Sequence, residues 1–199
     1  VDRLRQQLAA IERIPIDEPE PAPANAGAPG PPSARFETVK LQDAGVPEEV
    51  VQRLRERHDE SMLDELYLYD EAARDGWLGS GRYRGELQGL RTALREEIGD
   101  ADYDRLLYAA GRPNRVVATR VLHASPAMEV GILAGDVIHS YDGHRVFDLR
   151  ELKRATSEGR AGSTVSVSVR RGDQQLRFFL PRGPLGITMK PATRPPDRG

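Results

Sequence analysis

The sequence contains no cysteine, which excludes disulfides and thiolate metal sites and leaves the redox compartment open. It also lacks any apolar run approaching the roughly 18 residues of a membrane-spanning helix. Lysine is nearly absent: Lys40, Lys153 and Lys190 stand against an otherwise all-arginine basic complement, a mark of genome composition and not of function. Aromatic residues make up 6% and tryptophan occurs once. With 38% hydrophobic residues in 199, the chain can bury a modest core, as one ordinary domain or two small ones.

Catalytic patterns are missing as well. No H-E-x-x-H helix, G-x-S-x-G turn, phosphate-binding loop or dinucleotide fingerprint occurs. Ser80 lies in Gly-Ser-Gly without that frame or a plausible base. His58, His123, His139 and His144 are scattered without metal-ligand spacing, with His58 read onto a polar helix face. The expectation is a non-enzyme with no cofactor and no metal.

The net charge of −2 hides an asymmetry. Residues 36–112 carry 18 acidic against 11 basic side chains, and residues 113–199 carry 8 against 14. Two units of opposite sign can attract one another, or the basic one can favour anionic partners; unequal solvated faces are the plainer alternative. Nucleic acid is not an expected partner, because the arginines are dispersed along alternating segments and no nucleic-acid motif accompanies them.

Five segments follow from pattern. Residues 1–14 place Leu4, Leu8 and Ile11 at helical spacing and predict a short amphipathic helix. Residues 15–35 form a Pro/Ala-rich tract with little to bury, expected as a disordered linker. Residues 36–112 read as an acidic helical module. Pro47, Glu48 and Glu49 suit a helix start. Tyr83, Leu87, Leu90, Leu94 and Ile98 recur at intervals of three and four, Gly99 stops that helix, and a shorter one runs on from Asp100 or Asp102. Residues 113–190 switch to a period of two, with Val165, Val167 and Val169 alternating with polar residues before a hairpin at Arg171-Gly172-Asp173. Residues 191–199 read as a disordered tail.

The most specific pattern lies within the fourth segment. Ser125 can cap a short helix begun by Pro126 and ended by Gly131. Ile132-Leu133-Ala134-Gly135-Asp136-Val137-Ile138 follows, then a hairpin turn at Asp142-Gly143. Asp148 and Glu151 form a capping box before Leu149, Leu152 and Ala155.

This run, S-P-A-x-x-x-G-I-L-x-G-D-V-I-x-S-Y-D-G, resembles the signature of PDZ domains of the bacterial envelope-protease type, over about residues 114–190. The resemblance implies an α+β fold in which the small N-terminal helical module is followed by a PDZ-like, partly open β-barrel with two helices. It also implies that Gly183, Pro184, Leu185, Gly186 and Ile187 form a loop whose N–H groups receive a peptide carboxylate, with Pro184 subtracting one donor. The following strand, Thr188, Met189 and Lys190, would take the peptide as an added strand, flanked by Leu149 and Lys153 of the helix. The last position of this loop in the domain resembles the permuted arrangement of site-2-type membrane proteases. A bulged edge strand over 184–187 is the other reading. A β-branched residue at Gly186 is expected to abolish binding and spare the fold.

The resulting expectation is a peptide-binding adaptor of the bacterial cell envelope that takes an extended peptide or protein C-terminus by strand addition. An envelope protease or a secretion component would be its partner, and its place the periplasm. The chain opens at Val1 and not at methionine, so a cleaved signal or a tether to the inner membrane is expected before it. The alternatives are a structural or steric-chaperone-like adaptor acting through the acidic helices, and a regulatory subunit of a separate envelope protease.

Overall fold

A computed structural model describes residues 30–32 and 35–196. The expected helix over 1–14, nearly all of the 15–35 linker and the last three residues lie outside them. The helical part comprises α1 (Thr38–Asp43), α2 (Glu48–Arg74) and α3 (Gly81–Ala109). Pro47 stands at the N-cap position of α2 without a side-chain bond, and Glu48 and Glu49 occupy its first turn, where acidic side chains complement the helix dipole. Ser80 caps α3: its hydroxyl accepts the Tyr83 N–H at 3.2 Å. Gly99, with φ 76° and ψ 162°, breaks α3 where the sequence places a stop.

Apolar faces spaced for helices bring α2 and α3 together in two clusters. Leu41, Val51, Leu54 and Ala109 form one, and Leu68, Ala72 and Tyr83 another. His58, expected on a polar face, is 3% exposed and packs its ring 5.2 Å from that of Phe36, because α1 and its preceding segment cover that side of α2. The short helix α1 carries too few periodic residues to show in the sequence.

The remainder is a six-stranded antiparallel sheet that does not close, with two helices. The strands are β1 (Arg115–Val121), β2 (Val137–Tyr141), β3 (His144–Arg145), β4 (Thr164–Arg171), β5 (Gln174–Pro181) and β6 (Ile187–Ala192). Their order is β5-β4-β2-β1-β6, with β3 paired to β2. Helix α4 (Pro126–Val130) is capped by Ser125 and leaves through Gly131 at φ 89°. Helix α5 (Leu149–Ser157) is capped by Asp148, whose carboxylate accepts the Arg150 and Glu151 N–H groups. Glu151 reaches back to the Phe147 N–H at 2.8 Å, one residue beyond the cap position that a capping box uses. Val116, Ile138, Tyr141, Leu152, Val167 and Val169 centre the core.

The helical part and the sheet share buried contacts. Phe147, 1% exposed, packs among Leu94, Tyr103, Leu106 and Leu107 of α3. Asp104 of α3 is 2% exposed and accepts bonds from Arg115, Asn114 and Arg145. Strand β6 runs to Ala192, past the expected domain end at 190, and Asn114 Oδ1 accepts the Arg194 N–H at 2.9 Å. The chain therefore stays ordered by hydrogen bonds well into the expected tail.

Candidate functional site

Strand β6 is the last strand of the sheet order and, among the described residues, pairs only with β1. Two bonds fix which way its backbone faces. The Leu122 N–H donates to the Gly186 carbonyl at 2.9 Å, and the Asn114 N–H to the Ala192 carbonyl at 3.0 Å. Because successive residues of a strand present their backbone groups to alternate sides, residues 186, 188, 190 and 192 face β1. Ile187, Met189 and Pro191 face outward. Proline at an outward position forfeits no ladder bond, so Pro191 is compatible with β6 and marks where an added strand would lose a donor.

Helix α5 lies along this outward edge. Between them is a groove of about 460 Å³ lined by Leu122, Leu149, Leu152, Lys153, Thr156, Pro184, Leu185, Gly186, Ile187 and Met189. The helical contributors sit at 149, 152, 153 and 156, one face of a 3.6-residue period. Leu122 is 44% exposed, an apolar side chain on the rim.

The loop before β6 closes one end. Its carbonyls are engaged: Leu185 accepts the Ala127 N–H at 3.1 Å and Gly186 the Leu122 N–H. The N–H groups of Leu185 and Gly186 donate no hydrogen bond among the described residues. Gly186 has φ 72°, and a Cβ placed on it would stand 2.3 Å from the Ser125 Cβ. Only glycine allows this approach to α4, so the loop is held against the Ser125 cap with donors remaining at the groove end. Charge here is sparse, with Lys153 the one ionisable side chain in the lining.

Seven of the ten residues singled out from sequence line the groove: Pro184, Leu185, Gly186, Ile187, Met189, Leu149 and Lys153. Gly183 shapes the loop at φ 146° without lining it. Thr188 and Lys190 fall on the opposite face of β6 and are exposed, as the two-residue strand period requires. Leu122, Leu152 and Thr156 also line the groove, outside the sequence expectation. The helical spacing 149, 152, 153, 156 would have found the last two; Leu122 reaches the groove only through the β1–β6 pairing. Among the described residues no group of three or more metal-ligating side chains occurs, and no helix is long and apolar enough to cross a membrane.

The PDZ domain family model matches residues 89–180, which takes in α3 from Gly89 onward and stops before the loop and β6. Among solved structures, the PDZ domain of the SdrC-like protein from Listeria monocytogenes is similar, with 24% identity, 38% of this chain and 87% of that one covered, and a TM-score of 0.35. An HtrA-type protease with a decapeptide is 29% identical over 40% of this chain and 22% of its own, at a TM-score of 0.32. The HtrA3 PDZ domain bound to a phage-derived ligand is 24% identical over 39% and 85%, at 0.30. No curated protein matches the chain.

Proposed function

We propose that the PDZ domain in the C-terminal part of this chain binds an extended peptide, ending in a carboxylate, as an added strand against β6. PDZ domains take peptides by strand addition as a class. The observation that carries the proposal here is the coincidence, among the described residues, of an unpaired strand edge, an apolar groove beside it and two N–H groups without partners at its closed end. The outward backbone groups of Ile187 and Met189 would supply ladder bonds. The Leu185 and Gly186 N–H groups would meet the carboxylate, and charge-assisted bonds of this kind are about twice as strong as neutral ones. Pro184 removes one donor from the loop but leaves these two.

On this reading the chain is an adaptor that presents a bound terminus and carries no reaction of its own. Its place in the cell envelope, a membrane tether before Val1, and an envelope protease or secretion component as partner belong to the same proposal, and the resemblance of its sequence motif supports them.

The test is a titration of the whole chain with a peptide bearing a free C-terminus and with its amidated twin. Loss of a charge-assisted interaction contributing roughly 1.5–3 kcal/mol predicts at least about tenfold weaker binding of the amide. Equal affinity would show that the groove reads internal segments and would remove the carboxylate role from the loop.

A further inference from the structure

Beyond the open end of the groove lies a second concavity that the helical part helps to build. Its volume is about 310 Å³, and Leu149 lines both it and the groove. Pro191 of β6 forms one wall; Arg91 and Arg112, from and just after α3, and Arg150 of α5 lie around it. A further hollow of about 280 Å³ continues from it, sharing Gln88, Arg91 and Arg150 and adding Arg84.

The carboxylates nearby are already engaged. Glu65, 4% exposed, is held by Arg91 through bonds of 2.9 and 3.2 Å. Asp148 accepts two N–H groups of α5, and Glu151 is taken by Arg95 and the Phe147 N–H. Two guanidiniums are left underused. Arg112 approaches Glu65 only at 3.7 Å, outside hydrogen-bond reach, and although its backbone N–H donates to the Leu107 carbonyl, its guanidinium donates no hydrogen bond among the described residues. Burial, then the adjacent Arg91 charge, hold its pKa below the ordinary guanidinium value, as expected of a cation short of anions. Arg150 likewise has no side-chain partner among the described residues.

We propose that this cleft reads acidic side chains in the bound peptide, four to six residues before its terminus, through Arg112 and Arg150. The inference rests on the groove reading above and fixes the register as follows. A strand advances about 3.3 Å per residue, so a peptide whose last residue lies beside Ile187 has its fourth preceding residue beside Pro191. There the ladder loses its donor, the peptide leaves the strand edge, and the next side chains enter the arginine cleft. Guanidiniums with idle donors recognise carboxylates in paired geometry. The helical part is then a specificity element of the groove, since α3 positions Arg112.

The experiment titrates the whole chain with two peptides of identical free C-terminus, one with glutamates and one with glutamines at the fourth to sixth positions before the end. The acidic peptide is expected to bind about three- to tenfold more tightly at low salt, as partly exposed ion pairs allow. The difference should vanish near 1 M salt, where the screening length is about 3 Å, and shrink in both Arg112→Gln and Arg150→Gln. Arg150 is exposed, so its variant keeps the fold even if that of Arg112 does not. Equal binding of the two peptides overturns this inference and leaves the groove reading standing. Acidic preference that survives in both variants overturns it too, and failure of both peptides to bind overturns both readings together.

Discussion

Asp136 is 1% exposed, and its two oxygens accept bonds from Arg171 at 2.8 Å each and from the Leu133 N–H at 2.9 Å. Burial alone would raise its pKa, but the guanidinium and the N–H together hold it below the ordinary carboxylate value. A carboxyl depressed in the folded state stabilises fully above its unfolded value and loses that contribution as pH falls through the folded value. Asp136→Asn should therefore cost about 1.5–3 kcal/mol at neutral pH and flatten the acid side of a stability–pH curve measured by urea unfolding. An acid limb identical to that of the parent would contradict this. The turn at Gly135-Asp136 is readable in sequence; its clamp by Arg171 is not, because a basic residue at a strand end looks solvated until the sheet brings it across. Gly186 shows the same limit. Its need for a positive φ follows from the loop motif, but the contact with Ser125 does not. A β-branched residue there is expected to displace the α4 cap as well as the loop, lowering thermal stability together with affinity, contrary to the sequence expectation of an intact fold. An unchanged melting temperature in Gly186→Val would restore that expectation.

Strand β6 and helix α5 each carry a prediction. Met189→Pro removes an outward N–H while leaving the Thr188 and Lys190 backbone groups on β1, so the fold should persist. Loss of one ladder bond should weaken a bound peptide by about tenfold; titration alongside a thermal melt checks both halves, and undiminished affinity would place the peptide elsewhere. Asp148→Ala deletes the α5 cap and should lower stability by about 1 kcal/mol, read by chemical denaturation, since the two N–H groups it serves at 2.7 and 2.8 Å then lack that acceptor. At this scale most of the architecture is legible. Caps at Ser125 and Asp148, the breaks at Gly99 and Gly131, and the alternation in β4 all signal their elements locally. What sequence misplaces is the facing of residues within β6. Thr188 and Lys190 read as groove residues because a loop motif fixes where a strand starts and says nothing about which face it presents, while Thr156 signals itself by helical spacing alone.

The helical part and the sheet are joined by an aromatic plug and a buried charge cluster, neither visible from composition, whose opposite net charges suggest attraction but not contact. Phe147→Ala should cost about 3–5 kcal/mol, the usual range for removing a buried phenylalanine. Its ring is shared with Tyr103 at 5.3 Å and lies beneath the Arg95 guanidinium at 4.8 Å. The fragment 113–199 loses Asp104, the acceptor for Arg115 and Arg145, along with the surface that covers Phe147. It should melt below the whole chain, and a calorimetric comparison showing equal melting temperatures would mean that the interface contributes nothing to the sheet's stability.

The pairing of β1 with β6 joins the first strand of the sheet to the last, with Thr119 bonding to the Thr188 carbonyl 69 residues away. Closing so long a loop is entropically costly and belongs to the slow, non-local part of folding, so the groove forms only once the rest of the sheet exists. The same strand, at the edge and bonded on one side, is the natural first place for the native state to open. A peptide laid on its outer side would act as a brace on the last-formed seam. Hydrogen exchange at β6 should therefore slow more than exchange in β4 as ligand is added, up to the limit set by ligand concentration over its dissociation constant.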